Sequence, residues 1–123
     1  MGEKTKVLVV EDEAIILWST ASLLADQGYE VLEALNADQA VALLESHDDI
    51  RIVFSDIMMP GSLDGLRLAA AVKDRWPPVQ IILTSGHVPE SELPGDVTFF
   101  PKPYDLAAVS EAIRAFGSES ARI

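Results

Sequence analysis

The sequence contains no cysteine. That excludes a disulfide, a thiolate metal site and a thiol nucleophile, and it suits a reducing compartment. Histidine is scarce as well, with only two, and neither stands near the acidic residues singled out below, so a zinc site has no ready ligands. No apolar run approaches the ~18–20 residues of a membrane-crossing helix. The first residues, Met1-Gly2-Glu3-Lys4, are polar and lead into no signal-peptide stretch. Basic residues are outnumbered, nine Lys and Arg against twenty Asp and Glu, for a formal net charge of −11. Phosphate backbones repel such a surface, which argues against direct nucleic-acid binding. Internal repeats, low-complexity stretches and linkers are also lacking.

What is present fits one domain over residues 1–123 with one ordinary core. Short β-branched runs alternate with amphipathic helical segments. Lys6 to Val10 reads as a buried strand, because Val7, Leu8, Val9 and Val10 are continuously apolar. Ala14 to Gln27 reads as a helix with Ile16, Leu17, Thr20, Leu23 and Leu24 inward and Gly28 as its stop. Tyr29 to Ala34 is a second strand. Asn36 and Gln39 have capping-box spacing and open a helix to about Ser46, with Ala40, Leu43 and Leu44 inward. Ile50 to Ser55 is a third strand, followed by a loop from Asp56 to Leu63 marked by Met59-Pro60-Gly61. A helix starts at Asp64 or Gly65 and ends at Trp76, since Pro77 and Pro78 forbid its continuation. Val79 to Thr84 and Val97 to Phe100 are strands four and five. Asp105 caps a last helix whose inner face carries Leu106, Val109, Ile113 and Phe116 and which Gly117 ends.

This alternation predicts an α/β fold, a doubly wound five-stranded parallel sheet of order 2-1-3-4-5, flavodoxin-like, with a short or irregular fourth helix. Ligands of such sheets bind at the carboxyl ends of the strands, beside the switch point between strands one and three. Glu11 and Asp12 follow Val10 there, and Asp56 follows Ser55. Neighbouring strands lie ~5 Å apart, so the three acidic groups converge. Each alone has an ordinary reading: Asp12 as a helix cap, Asp56 as a turn residue. Together at the switch point they form a cluster of like charges that opposes its own ionisation, and a hard cation with oxygen ligands resolves the conflict. Magnesium fits best, because it takes one or two carboxylates, keeps waters and accepts phosphate oxygens. Thr84 ends strand four and Lys102 follows strand five. A hydroxyl and an ammonium on that edge can hold oxygens of a transferred phosphoryl group, although singly they also read as a turn cap and a solvated lysine.

Four segments, in order and at matching spacing, resemble the response-regulator receiver family along essentially the whole chain. They are Val7-Leu8-Val9-Val10-Glu11-Asp12-Glu13, Asp56-Ile57-Met58-Met59-Pro60 leading to Asp64-Gly65, Leu83-Thr84-Ser85, and Lys102-Pro103. The resemblance implies a two-component signalling domain that takes a phosphoryl group onto Asp56 from a phosphohistidine of a sensor histidine kinase or phosphotransfer protein. It implies Mg2+ held by Asp12, Asp56 and the backbone carbonyl of Met58, with Glu11 acting close by through water. Lys102 would contact Asp56 and a phosphoryl oxygen, Thr84 would be the switch hydroxyl, and Phe99 the switch aromatic that turns inward behind it. The Lys102–Pro103 bond would be cis, a form found in only ~5% of X–Pro bonds. It further implies a cytoplasmic signalling protein, not an enzyme with a foreign substrate, that acts on an unknown downstream protein and not on nucleic acid or membrane.

Several features depart from the family pattern. The loop through Gly61-Ser62-Leu63 is one residue longer. Met58 and Gly86 stand where side chains that position a hydrolytic water often occur, which implies slow self-dephosphorylation. Only residues 85–98 separate Thr84 from Phe99, and they include Pro89, Pro94 and Gly95. A loop with at most one helical turn near Glu90 to Leu93 is expected there, with Ser85-Gly86-His87 mobile until phosphorylation orders it. Competing readings weaken on single residues. An aspartyl phosphatase wants an acid–base Asp two residues after the nucleophile, where Met58 stands. A flavodoxin-like nucleotide binder wants a Gly-rich loop after Val10. A degenerate receiver, acting as a phosphate-independent binding module, would have lost Asp56 or Lys102. An initiating Met1 and a polar end from Ser118 to Ile123 favour a stand-alone regulator over a fragment.

Overall fold

The computed structural model describes residues 4–57, 64–86 and 97–121, with side chains as far as Phe116. Among the described residues five strands, β1 (Lys6–Val10), β2 (Glu30–Ala34), β3 (Ile50–Asp56), β4 (Gln80–Ser85) and β5 (Thr98–Pro101), and four helices, α1 (Ala14–Asp26), α2 (Ala37–Ser46), α3 (Gly65–Arg75) and α4 (Leu106–Ala121), follow in the order β1-α1-β2-α2-β3-α3-β4-β5-α4. All strand pairs are parallel, in the order β2-β1-β3-β4-β5. This is the doubly wound, flavodoxin-like sheet expected from the alternation. The segment expected to hold the short or irregular fourth helix, with Glu90 to Leu93, lies outside the described residues, as do Met58 and the Gly61-Ser62-Leu63 loop.

Successive strand side chains point to opposite faces, so a strand covered on both sides must be apolar throughout. Val7 and Val9 pack with Leu17, Leu24, Ile52, Phe54, Ile82, Val109 and Ile113 under α1 and α4. Leu8 and Val10 pack with Ala40, Leu44, Val53, Leu68, Val72 and Leu83 under α2 and α3. Each fully buried Leu, Ile or Val contributes about 1.5–3 kcal/mol of transfer free energy. The two layers thus hold the sheet rigid and fix where its carboxyl edge lies.

Side-chain caps start three helices. The Asn36 side chain accepts from Gln39 N at 2.8 Å, Asp64 accepts from Arg67 N at 2.9 Å, and Asp105 accepts from Ala107 N at 3.0 Å. Gln39 reaches back to the N–H of Leu35 at 2.8 Å, one residue before the cap itself. Gly28 ends α1 with φ of 102°, a left-handed conformation that glycine adopts without strain.

Two expectations need correction. Leu23 is half exposed, and Ala21 joins Leu17, Thr20 and Leu24 on the buried face of α1. At 100° per residue, Leu23 falls on the flank of a stripe centred on Thr20 and Leu24, beyond the reach of the sheet. Gly117 does not end the last helix, which continues to Ala121. A single glycine costs about 1 kcal/mol in a helix and, with no proline after it, does not interrupt the hydrogen-bond ladder.

Candidate functional site

The parallel register carries the chemistry-bearing residues to one edge. Val10 pairs with Ser55, Asp56 with Thr84, and Ser85 with Pro101. Glu11, Asp56, Thr84 and Lys102 therefore stand at or just past the carboxyl ends of four neighbouring strand positions. Backbone hydrogen bonds pin them: Glu11 N donates to Ala34 O at 3.0 Å, Ile57 N to Thr84 O at 2.9 Å, and Lys102 N to Ser85 O at 2.9 Å.

The carboxylates of Glu11, Asp12 and Asp56 each offer an oxygen, and these oxygens lie within 4.8 Å of one another. Glu11 and Asp56 are almost wholly buried, at 4% and 5% exposure, and Asp12 is the most open of the three. Lys102 Nζ donates to Asp56 Oδ2 at 2.8 Å and lies 3.6 Å from Glu11 Oε1. Among the described residues one ammonium thus reaches two of the cluster's three carboxylates, Asp56 and, at longer range, Glu11, and the titration of Glu11 is shifted. Burial, with added push from the Asp12 hydrogen bond and the Asp56 charge, raises its pKa to about 7 against the opposing pull of the Glu13 N–H and Lys102. For Lys102, burial pulls the pKa down, but the Asp56 hydrogen bond and the Asp56 and Glu11 charges outweigh it and leave it raised.

The donor set tests what ion belongs here. All three side chains are oxygen ligands, closely spaced and left with excess negative charge. That is the chemistry of a hard divalent cation that retains open positions, as Mg2+ does; nothing in the cluster suits a soft metal.

Thr84, 3% exposed, presents a hydroxyl with no hydrogen-bond partner among the described residues. It lines a small pocket beneath the cluster together with Glu11, Asp56, Thr20 and Tyr104. Phe99 does not join this group. It pairs with Leu83 and packs half-buried into the α2–α3 layer, while Phe100 is the residue opposite Thr84. The Lys102–Pro103 peptide is cis.

Sequence reasoning did not assign a role to two positions that the structure brings to the site. Tyr104 packs its ring edge-on against Phe54, at 5.4 Å between centroids, and its hydroxyl lies 3.3 Å from that of Thr20. The signal was the one polar residue in the apolar stripe of α1. Gly65 allows α3 to start against the end of β3. A Cβ there would sit 2.3 Å from the Asp56 carbonyl oxygen and 2.6 Å from the Ile57 Cα, while Gly65 N donates to Ile57 O at 2.9 Å.

Residues 7–114 match the model of the response regulator receiver domain. The chain belongs to that family. Over 82 residues the receiver is 38% identical to the nitrogen assimilation regulatory protein NtrX of Azorhizobium caulinodans, a match that covers 66% of this chain and 18% of NtrX. It spans between 17% and 22% of the curated relatives it matches. Its fold superposes on the receiver domain of the hybrid histidine kinase CckA with a TM-score of 0.77 and 33% identity, over 90% of this chain and 97% of that one. It also superposes on the response regulator TrrA of Thermotoga maritima, solved in complex with Mg2+ and BeF, with a TM-score of 0.82 and 24% identity over 91% and 98% of the two chains. Among the described residues no helix is long and apolar enough to cross a membrane.

Proposed function

We propose that this receiver accepts a phosphoryl group on Asp56 from a phosphohistidine of a sensor histidine kinase or phosphotransfer protein, in a Mg2+-dependent step. The observation that carries the reading is the buried Asp56 carboxylate, held at 2.8 Å by Lys102 within an acidic cluster that one lysine does not neutralise. Glu11, Asp12 and Asp56 are the side chains that would hold the cation, with the Met58 carbonyl as a further ligand. When bound, Mg2+ supplies positive charge to phosphoryl oxygens and cancels the repulsion among the carboxylates. That TrrA was solved with Mg2+ and BeF supports the choice of ion.

The chain's own groups do the rest. The Asp56 oxygen not engaged by Lys102 attacks phosphorus, the phosphorus–nitrogen bond to the donor imidazole breaks, and its electron pair stays on the imidazole nitrogen, which takes up a proton. Lys102 neutralises charge on the acyl phosphate that forms. Stabilisation of this kind supplies most of the catalysis in phosphoryl transfer. Thr84, paired directly with Asp56 across the sheet, donates its hydroxyl to a phosphoryl oxygen. Phe99 then repacks on β5, and a downstream protein reads the altered surface. On this reading the receiver acts in the cytoplasm, beside the kinase or phosphotransfer protein that supplies the phosphoryl group. The single domain over residues 1–123 catalyses only its own phosphorylation and a slow dephosphorylation, because neither Met58 nor Gly86 can orient a water.

Intact-mass analysis after incubation with Mg2+ and acetyl phosphate tests the assignment. One added phosphoryl group is expected on the wild type and none on Asp56→Asn. Equal labelling of the variant would overturn the assignment, and so would labelling that survives full chelation of the metal.

A further inference from the structure

A buried hydroxyl without a partner costs free energy, and Thr84 carries one. The pocket that it lines offers a water's centre about 10 Å³, enough for about one water. Its walls are largely apolar, with a few polar groups. Val9 and Phe54 supply apolar wall, while Thr20, Tyr104, Glu11 and Asp56 bring polar groups to it. Asp12 is not among the described residues that line it. A single water needs two to four polar partners, and this wall supplies them. Tyr104 and Thr20 are themselves 3.3 Å apart through their hydroxyls, so one point between α1 and the segment after β5 is already polar.

The geometry points to a buried water site beneath Asp56, in which one water bridges the Thr84 hydroxyl to the Tyr104–Thr20 pair and holds Thr84 in its unphosphorylated position. Tyr104 is then a positioning residue. It never touches the reacting atoms, but through the water it sets how readily Thr84 leaves for a phosphoryl oxygen. The inference rests on the reading of Asp56 as phosphoacceptor and adds a restraint on that switch. In the resting state Thr84 is satisfied by the water; in the phosphorylated state it is satisfied by the phosphoryl group. Weakening the first partner shifts the balance toward the second, because a ligand gains apparent affinity when the competing state is destabilised. Tyr104→Phe keeps the ring against Phe54 and deletes the hydroxyl. Thr20→Val keeps the shape of α1 and deletes the other.

The test compares wild type, Tyr104→Phe and Thr20→Val by titration with Mg2+ alone and then with beryllofluoride at saturating Mg2+. Each variant is expected to bind beryllofluoride about two- to tenfold more tightly, the range for one lost hydrogen bond, with Mg2+ affinity unchanged. A merely structural role for Tyr104 would change the melting temperature without this split between the two ligands. Unchanged or weakened beryllofluoride binding in a folded Tyr104→Phe protein would overturn the inference. The water is read independently from water–protein cross-relaxation at Thr84, or from a high-resolution crystal structure, and a dry pocket would overturn it as well. If the wild type bound no beryllofluoride, the phosphoacceptor reading would fall, and the cross-relaxation result would still decide whether the water is there.

Discussion

Two lysines of this protein sit in nearly the same local geometry at opposite ends of the sheet. Lys6, at the start of β1, lies 2.8 Å from Asp49 Oδ2 and 3.6 Å from Glu30 Oε2. Lys102, just past β5, lies 2.8 Å from Asp56 Oδ2 and 3.6 Å from Glu11 Oε1. The partners differ in one respect. The side chains of Asp49 and Glu30 are 55% and 54% exposed, whereas those of Asp56 and Glu11 are 6% and 5% exposed. Both lysines have raised pKa values, but the leading influence on Lys6 is the Asp49 hydrogen bond, while for Lys102 it is burial pulling the other way. Water shares the charge at the first site, where the pair is an ordinary surface contact. At the second, the protein itself must balance it, and Asp12 adds a further negative charge. Distance alone therefore does not single out a candidate functional ion pair; an unbalanced charge in a dry setting does.

Removing each lysine breaks the comparison most directly. Lys102→Ala is expected to slow phosphorylation by acetyl phosphate by about a hundredfold or more, the effect of losing one charge-stabilising group. Lys6→Ala is expected to leave that rate unchanged and to alter thermal stability little. Time courses of intact mass would measure both. Equal slowing in the two variants would mean that the buried carboxylates facing Lys102 carry no special weight.

The backbone beside Asp56 is as tightly specified as its charge. Gly65→Ala forces apart the end of β3 and the first turn of α3, and is expected to destabilise the domain by about 1–3 kcal/mol, with weaker Mg2+ binding because the displaced Asp56 backbone carries its carboxylate with it. Gly86→Ala serves as the control, since a Cβ there meets none of the described residues within 4 Å. Urea unfolding of the pair checks this; a Gly65→Ala protein as stable as Gly86→Ala would contradict the close approach.

The smallest expected effect lies in pH dependence. The Glu11 pKa is raised from 4.5 to about 7, so the metal-free fold holds a proton that the unfolded chain has already lost. From about pH 4.5 to about 7 this group makes the metal-free protein less stable as pH rises, and above that window the full cost is present. Mg2+ requires the ionised form, so its affinity should climb about tenfold between roughly pH 6 and 8, with proton release on binding. Glu11→Gln should flatten both trends. Asp49 has the opposite sign: Lys6 lowers its pKa, so its contribution is present above the unfolded value and fades as acid protonates it. Calorimetric titrations in buffers of different ionisation enthalpy would separate the two, and a pH-independent Mg2+ affinity would contradict the strain assigned to Glu11.

Periodicity alone was enough to order the strands and helices, because a strand buried on both faces is apolar at every position and a helix is apolar only along a stripe. Val7 to Val10 and the Leu17–Thr20–Leu24 stripe state this in local sequence, and the caps Asn36, Asp64 and Asp105 mark helix starts within one residue. The acidic residues at two strand ends, Thr84 and Lys102 were legible for the same reason: a parallel sheet sends the end of every strand to one edge. Other features depended on contacts between residues far apart in the chain. Whether Leu23 is buried depends on where the edge of the sheet falls, and whether Gly117 stops a helix depends on a ladder that one glycine only weakens. The unequal fates of Lys6 and Lys102, the meeting of Tyr104 with Thr20, and the need for glycine at position 65 arise only when separate elements pack. Burial, dielectric and close approach belong to the assembled protein, so residue types fixed which chemistry was available, and tertiary packing decided which lysine would face it.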